Sequence, residues 1–362
     1  LQPEPPMPAR LSQPLFQPLP QPLPARLHAA EYVSPGHPDR LADAVAEACV
    51  GYARALDPEA VAGIEVAVSS EKVFVSGCLA LGAGDAGRPQ DFLPPLVQQA
   101  YAAAGYGEAW RPAPRELVVI HDLSVRPLGG PERAARHWAD DQAICVGYAC
   151  DSPSTDWQPP VQWLALRLGE RLAAWRAAHA ADRLGPDFKL LPVLEEVPAA
   201  GAGRRWRWRR LVLSIQHLPS LCGEDQLRLL FPVLHDLLQG LDGALPGVGS
   251  LGREQLRLNP GGAFTVGGPH GDNGLSGKKL VVDGYGPGVP IGGGAHHGKD
   301  PHKVDRRGAQ RARELALEAV RAGAPWAQAT LVYTPGEREP EVSLERGAGR
   351  ATWLDALLAG QA

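Results

Sequence analysis

Cysteine is scarce and unpatterned in this 362-residue chain: Cys49, Cys78, Cys145, Cys150 and Cys222 are the only five, and none stand in Cys-x-x-Cys spacing. An odd, scattered set suggests neither a disulfide framework nor a structural zinc site held by cysteines, leaving reduced and mostly buried thiols. An excess of basic residues is missing too. With 36 Lys and Arg against 40 Asp and Glu, the formal charge is −4, which argues against a general nucleic-acid or membrane-surface binder and leaves any anion to local charge. No run approaches the roughly 20 apolar residues of a membrane span. The first residues also lack the basic-then-apolar layout of a signal peptide. The expectation is a cytoplasmic protein with neither a membrane nor a nucleic-acid partner. Length sets no limit on core burial.

What is present begins with proline. Residues 1 to 27 repeat Pro with Leu and Gln (QPLFQPLPQPLP), a composition that favours extended polyproline II and predicts a disordered or loosely docked arm. From Leu27 the patterning becomes that of a folded unit. The loop SPGHPD leads into a helix carrying Leu41, Val45, Cys49, Tyr52 and Leu56 at helical spacing, with Pro38 and Asp39 in its first turn. His37 then stands just before a helix N-terminus, where anions are favoured.

Next, GIEVAVSSEKVFVSGCLALG reads as a hairpin, DFLPPLVQQAYAAAGY as a helix and ELVVI as a strand. The order returns: KLLPVLEEV and RWRWRRLVLSIQH flank the turn PAAGAG, then EDQLRLLFPVLHDLLQGL reads as helix and EQLRLNP as strand. A third, partial copy pairs ATLVYTP with EVSLER and closes on ATWLDALLAG as a helix. A long helix, PVQWLALRLGERLAAWRAAHAADRL, separates the first two units. The fold class predicted is α/β (α+β), three pseudo-repeated subdomains, each a β-sheet with helices on one face. The run RRWRWRR invites a base-stacking reading. Strand alternation accounts for it better, with Trp206 and Trp208 on one face and Arg205, Arg207 and Arg209 on the other.

The chemistry concentrates between Gly267 and Ala312, where glycines accompany Lys278, Lys279, Lys299, Lys303, Asp272 and Asp305. Glycines admit close approach of backbone N–H groups to an anion, lysines supply charge, and aspartates hold the divalent metal of a nucleotide. GGAHHGKD, Gly293 to Asp300, nearly matches a phosphate-binding GxxxxGK[ST] loop, but Asp300 replaces the hydroxyl and no apolar strand precedes it. A Walker site is therefore rejected. What remains is a Gly-rich turn with Lys299, then a helix entered through Asp300 and Pro301 with Lys303 and Asp305 in its first turn. Nucleotide phosphates with a divalent metal are the reading this supports; a solvated surface loop is the plain alternative.

In order along the chain, GHPDRLAD, DDQAICVGYA, GPDFK, LSIQH, NPGGAF, GGPHGDNGLSGKK, VVDGYG and GGGAHHGKDPHKVDR resemble the signature segments of S-adenosylmethionine synthetase (methionine adenosyltransferase). The likeness runs from Gly36 to Arg313 and more faintly to Glu345. It implies a fold of three α/β subdomains, interleaved in one catalytic unit over residues 28–362. It implies an ATP-dependent adenosyltransferase: a thioether sulfur attacks C5′ of ATP, and the released triphosphate is cleaved to pyrophosphate and phosphate. By matching motif, His37 would contact the leaving oxygen and phosphates, and Lys189, Lys278, Lys279 and Lys299 would spread along the triphosphate. Asp39 and Asp305 would hold Mg²⁺, and Glu65 falls where the family binds K⁺. Phe264 would stack on adenine, with Ala263 and Ala295 beside the nucleotide. Asp187 and Asp272 would meet the ribose or the amino-acid substrate, Asp141 the substrate ammonium and Lys303 its carboxylate. The family's active site lies between two subunits, implying a homodimer.

Departures from the family pattern cluster on the second-substrate side. Arg40 replaces a Lys and Lys278 an Arg, keeping charge while changing the hydrogen-bond fork. Ala263 stands in place of an Arg, and His296-His297 in place of Phe-Ser. Cys78 takes the position of a methionine-binding Glu. The family's mobile loop, here HDLSVRPLGGPERAARHW, is shorter and aligns Arg126 with a methionine-contacting Gln. A lost acid and a gained Arg predict a more positive pocket and a thioether other than methionine, against drift in a working methionine enzyme. The family also continues beyond the third hairpin, so a shortened third subdomain is expected. The competing functions are an ATP or triphosphate hydrolase relic and a non-catalytic regulatory partner of a true synthetase.

Overall fold

The computed structural model describes residues 26–82, 86–198, 204–221 and 223–347. The Pro-rich arm up to residue 25, Cys222 and the expected closing helix over 351–360 lie outside the described residues.

The chain opens with β1 (Arg26–Ala29) and β2 (Tyr32–Val33), followed by α1 (Pro38–Leu56). The hairpin β3 (Val61–Ser69) and β4 (Lys72–Leu81) precedes α2 (Pro89–Ala104) and β5 (Val118–Pro127). A short α3 (Gly130–Ala134) leads to β6 (Ala143–Cys150) and α4 (Pro160–His179). The long hairpin β7 (Leu184–Pro198) and β8 (Arg204–His217) is followed by α5 (Gly223–Leu238), β9 (Leu256–Leu258) and β10 (Gly274–Leu275). The last elements are α6 (Leu280–Asp283), α7 (Val304–Arg321), β11 (Trp326–Tyr333) and β12 (Glu341–Arg346).

Three sheets result, each built on one of the three expected hairpins. The first runs β10-β3-β4-β5, the second β1-β7-β8-β9 with β2 also on β7, and the third β12-β11-β6. Alternation dictates the layering. In β3, Ala62, Ile64, Val66 and Val68 turn inward against Leu41, Val45 and Cys49 of α1, while Glu65 on the opposite face is exposed. Leu164, Leu168 and Leu172 of α4 cover the second sheet at Leu190, Leu213 and Ile215. Ala312 of α7 packs with Cys145, Ala329 and Leu331 of the third. Trp206 and Trp208 are buried and Arg205, Arg207 and Arg209 exposed, as strand alternation requires.

The helix expected over 160–184 ends at His179 and Leu184 already begins β7, and two boundaries nearer the site also differ from expectation. The segment after LVVI is not all loop, because β5 continues to Pro127 in parallel register with the whole of β4. A ten-residue partner strand offers ladder bonds to every residue of His121–Pro127. The helix expected to be entered through Asp300 starts instead at Val304, with Lys303 at the capping position. Asp300 is only 1% exposed. Its carboxylate accepts from the Ala62 and His302 backbone N–H groups (2.9 Å each) and pairs with the Arg136 guanidinium at 3.1 Å.

Candidate active site

The two sequence posts, HPD and GKD, are carried by different elements that meet along one edge of β3. His37 caps α1 and accepts the Asp39 backbone N–H at Nδ1 (3.1 Å). Its ring proton therefore sits on Nε2. Burial lowers the His37 pKa to about 4, and the nearby charge of Lys189 and Lys279 acts in the same direction, against Asp39 and Asp272. The imidazole is neutral at physiological pH and offers an N–H donor.

Asp39 is 1% exposed. Its Oδ1 accepts from Leu275 N (3.0 Å), and Lys279 Nζ lies 2.6 Å and Lys278 Nζ 3.6 Å from its carboxylate oxygens. The chain reaches this carboxylate only because Gly274 has no side chain: a Cβ there would stand 2.1 Å from the Pro38 carbonyl carbon. Asp187 accepts from Gly268 N (2.8 Å), and burial raises its pKa to about 6. The anions of Asp272 and Asp39 push the same way against Lys189.

The second post docks as a partial strand. Gly63 bridges Lys299, Ile64 N donates to Gly298 O (2.8 Å) and Asp300 N to Ala62 O (3.0 Å). Gly298 adopts φ +79°, and a Cβ would fall 2.1 Å from Ile64 O, so only glycine seats the loop. Lys299 Nζ donates to Asp305 Oδ2 at 2.5 Å. Lys303 Nζ donates to Asp140 Oδ2 at 2.7 Å, whereas Asp141 accepts its neighbour Gln142 N.

The chain is similar to known proteins along most of its length. The chain is 34% identical over 303 residues to the S-adenosylmethionine synthase of Paramagnetospirillum magneticum, spanning 82% of this chain and 74% of the relative. With that of Zymomonas mobilis it shares 33% over 323 residues, 87% of this chain and 79% of the relative. The chain belongs to the S-adenosylmethionine synthetase family. A family model described as S-adenosylmethionine synthetase, C-terminal domain, matches residues 266–348. The solved structure of an unusual S-adenosylmethionine synthetase from Campylobacter jejuni superposes with a TM-score of 0.77 at 27% identity, covering 92% of this chain and 84% of that one. The protein is thus a transferase of the S-adenosylmethionine synthetase type.

Within this synthetase fold the predicted site residues fall into three groups. His37, Asp39, Lys189, Lys279, Asp187 and Asp272 share one electrostatic environment. Lys299 and Asp305 form the second group, bonded to each other. Cys78, Arg126 and Lys303 belong to the third. By register Cys78 pairs with Ser124 and Ala80 with Arg126. Cys78 and Arg126 are therefore on the face of the first sheet away from α1, and the Arg126 guanidinium lies against the thiol. Phe264 is tied to His217 twice, the His217 N–H donating to Phe264 O (3.0 Å) and the Phe264 N–H to the His217 ring at Nε2 (3.1 Å), with Ala263 exposed beside it. Ala295 is half-buried against Gly277, where a Cβ would stand 2.5 Å from its own. Glu65 accepts from Ser276 Oγ at 3.1 Å.

Sequence reading overlooked Glu132, whose carboxylate makes two 2.8 Å bonds to Arg126. The expected gain of positive charge is therefore offset. Asp140 and Arg136 were also missed. The doubled Asp of DDQ was a visible cue for the first, and nothing local marks the second.

Oxygen donors suit Mg²⁺, and Asp39 fits that role. Its buried Oδ2 has no aligned hydrogen bond despite the nearby ammonium, so it keeps a free lone pair. Asp305, half-buried with one oxygen on Lys299, fits as a second ligand.

Proposed function

We propose that the protein joins the sulfur of an amino-acid thioether, methionine or an analogue, to C5′ of ATP, and then cleaves the released triphosphate to pyrophosphate and phosphate. The observation that carries the reading is the state of His37: a buried, neutral imidazole presenting Nε2–H among Lys189, Lys279 and Asp39. Such a group is ill suited to take a proton and well suited to donate to a leaving oxygen. Thioether sulfur is already nucleophilic and needs no base. Catalysis then rests on alignment and on stabilising the charge that grows on the polyphosphate.

Lys189, Lys278, Lys279 and Lys299 are assigned to the triphosphate, Phe264 to adenine with Ala263 and Ala295 at its margin, and Asp187 and Asp272 to ribose or the amino acid. Lys303 takes the substrate carboxylate, and Asp141, beside the Asp140 already engaged by Lys303, takes the ammonium. Mg²⁺ held by Asp39 and Asp305 would neutralise polyphosphate charge, and Glu65 would hold K⁺. The open face of the first sheet supports reading the protein as a homodimer. Exposed Phe74, Val118 and Ile120 share that face with Glu65, Cys78 and Arg126, so a second subunit covering the apolar part would close the substrate side.

Incubation with ATP, Mg²⁺, K⁺ and a thioether panel, read by product mass spectrometry, tests the proposal. An S-adenosyl sulfonium with L-methionine or a charged-headgroup analogue is expected. ATP breakdown without adduct would point to a hydrolase, and no turnover at all to a regulatory partner.

A further inference from the structure

We propose a transition-metal site at Asp43, Asp283 and His297, separate from the carboxylates assigned to Mg²⁺. One donor atom from each residue lies within 4.8 Å of the other two. His297 Nε2 is 3.4 Å from Asp283 Oδ2 and 3.9 Å from Asp43 Oδ2. Donors around a tetrahedral ion with bonds of about 2.0–2.1 Å stand about 3.3 Å apart. Of the two edges at His297, one already has that length and the other needs to close by about 0.5 Å, while the Asp43–Asp283 edge lies within 4.8 Å.

The surroundings are arranged as an outer shell. The other ring nitrogen of His297, Nδ1, faces Glu47 Oε1 at 3.9 Å, beyond hydrogen-bond length but on the side where a carboxylate would orient a metal-bound imidazole. Gly277 N donates to Asp43 Oδ1 at 2.8 Å, and Arg40 Nη1 donates to Asp283 Oδ1 at 2.5 Å. These contacts leave Asp283 Oδ2 to the ion. Asp43 Oδ2 is shared with Arg40 at 3.1 Å, and the ion takes over that contact. Two cations, Arg40 and Arg306, face three carboxylates, Asp43, Asp283 and Glu47, one negative charge in excess before His297 is counted. One imidazole with two carboxylates selects Zn²⁺, Co²⁺ or Mn²⁺ over Mg²⁺.

The site ties α1, α6 and the Lys299 loop together. Glu47 also accepts Gly298 N at 2.9 Å, and Arg306 donates to Lys299 O at 2.6 Å. Occupancy would therefore hold the loop on which Lys299 is presented, a role that needs no place in the chemical step.

The chelator-stripped full chain, titrated with Co²⁺ under saturating Mg²⁺, tests this by visible absorption and equilibrium dialysis. One Co²⁺ retained per chain with a tetrahedral absorption band is expected. Affinity should fall at least tenfold in both His297→Ser and Asp283→Asn. Zn²⁺ should raise the melting temperature of the parent protein and not of the variants. Failure to retain Co²⁺ against Mg²⁺, or equal retention by either folded variant, overturns the proposal. Adenosyl transfer plays no part in the readout, so the outcome is independent of the proposed reaction.

Discussion

His37 and Asp187 are both buried, and burial moves them in opposite directions because it disfavours whichever form is charged. For Asp187 the folded pKa of about 6 lies above the ordinary 3.8, so the native state binds more protons than the unfolded chain between those values. Stability therefore falls as pH rises through that window, and the loss is complete above it. A shift of about two units corresponds to about 3 kcal/mol. Asp187→Asn keeps an oxygen for Gly268 N and removes the charge. Thermal melting of the ligand-free protein should show it more stable than the parent at pH 8 and equal to it near pH 4. Lys299→Ala should lower kcat by about a hundredfold with a smaller change in the KM for ATP. Steady-state kinetics that show only a raised KM would make Lys299 a uniform binding contact, equally strong in the ground and transition states, and not a group that stabilises the leaving charge. His37 and Lys299 were legible because HPD and GKD each gather several charges into one short stretch, whereas Asp187 entered only through the family resemblance of GPDFK. The partner of Lys303 was not, since two adjacent aspartates give the same local signal and only the fold places Asp140 against it.

At the level of elements, the segment following β5 is anchored to the phosphate side by one buried pair. Arg136 donates to Asp300 at 3.1 Å and to the Ala60 carbonyl at 3.2 Å, and Asp300 in turn holds the Lys299 loop against β3. Removing the cation leaves a buried, unpaired carboxylate, which costs about 3–5 kcal/mol. Arg136→Ala should therefore lower the denaturant midpoint substantially, and Arg136→Ala with Asp300→Asn should recover part of that loss. The helix at 38–56, the start of the helix at 160–179 and the three hairpins could be read from periodicity and turn chemistry alone. The end of β5 could not, because what extends a strand to Pro127 is the length of its neighbour, and pairing is not written locally. The start of α7 was misplaced for a similar reason: Asp300 looks like a helix-initiating residue and is instead consumed by tertiary contacts.

The whole molecule is three sheets whose strands come from distant parts of the sequence, with β6 completing the third sheet and β10 the first. The threefold pattern was visible because each hairpin is contiguous. The assignment of single strands to sheets was not, since β6 carries no mark of its partner. The open face holding Phe74 and Ile120 leads to a prediction at this scale. Ile120→Asp should shift the protein from dimer to monomer in sedimentation and abolish transfer, while the monomer retains its far-ultraviolet circular dichroism. A monomer of the parent chain with full activity would remove the shared site.

The outer edge of β3 is covered along almost its full length by pieces of the site. Asp300 and Gly298 engage Ala62 and Ile64, Ser276 takes both backbone groups of Val66, and Gly274 pairs with Val68. The loops proposed to hold the nucleotide are thus also the caps of a strand of alternating aliphatic residues that would otherwise present bare amide and carbonyl groups to other molecules. Lesions that unseat the Lys299 loop should reveal themselves first as insoluble protein and only secondarily as slow turnover. Nucleotide in the growth or purification medium should rescue yield, because a filled site keeps that edge shut.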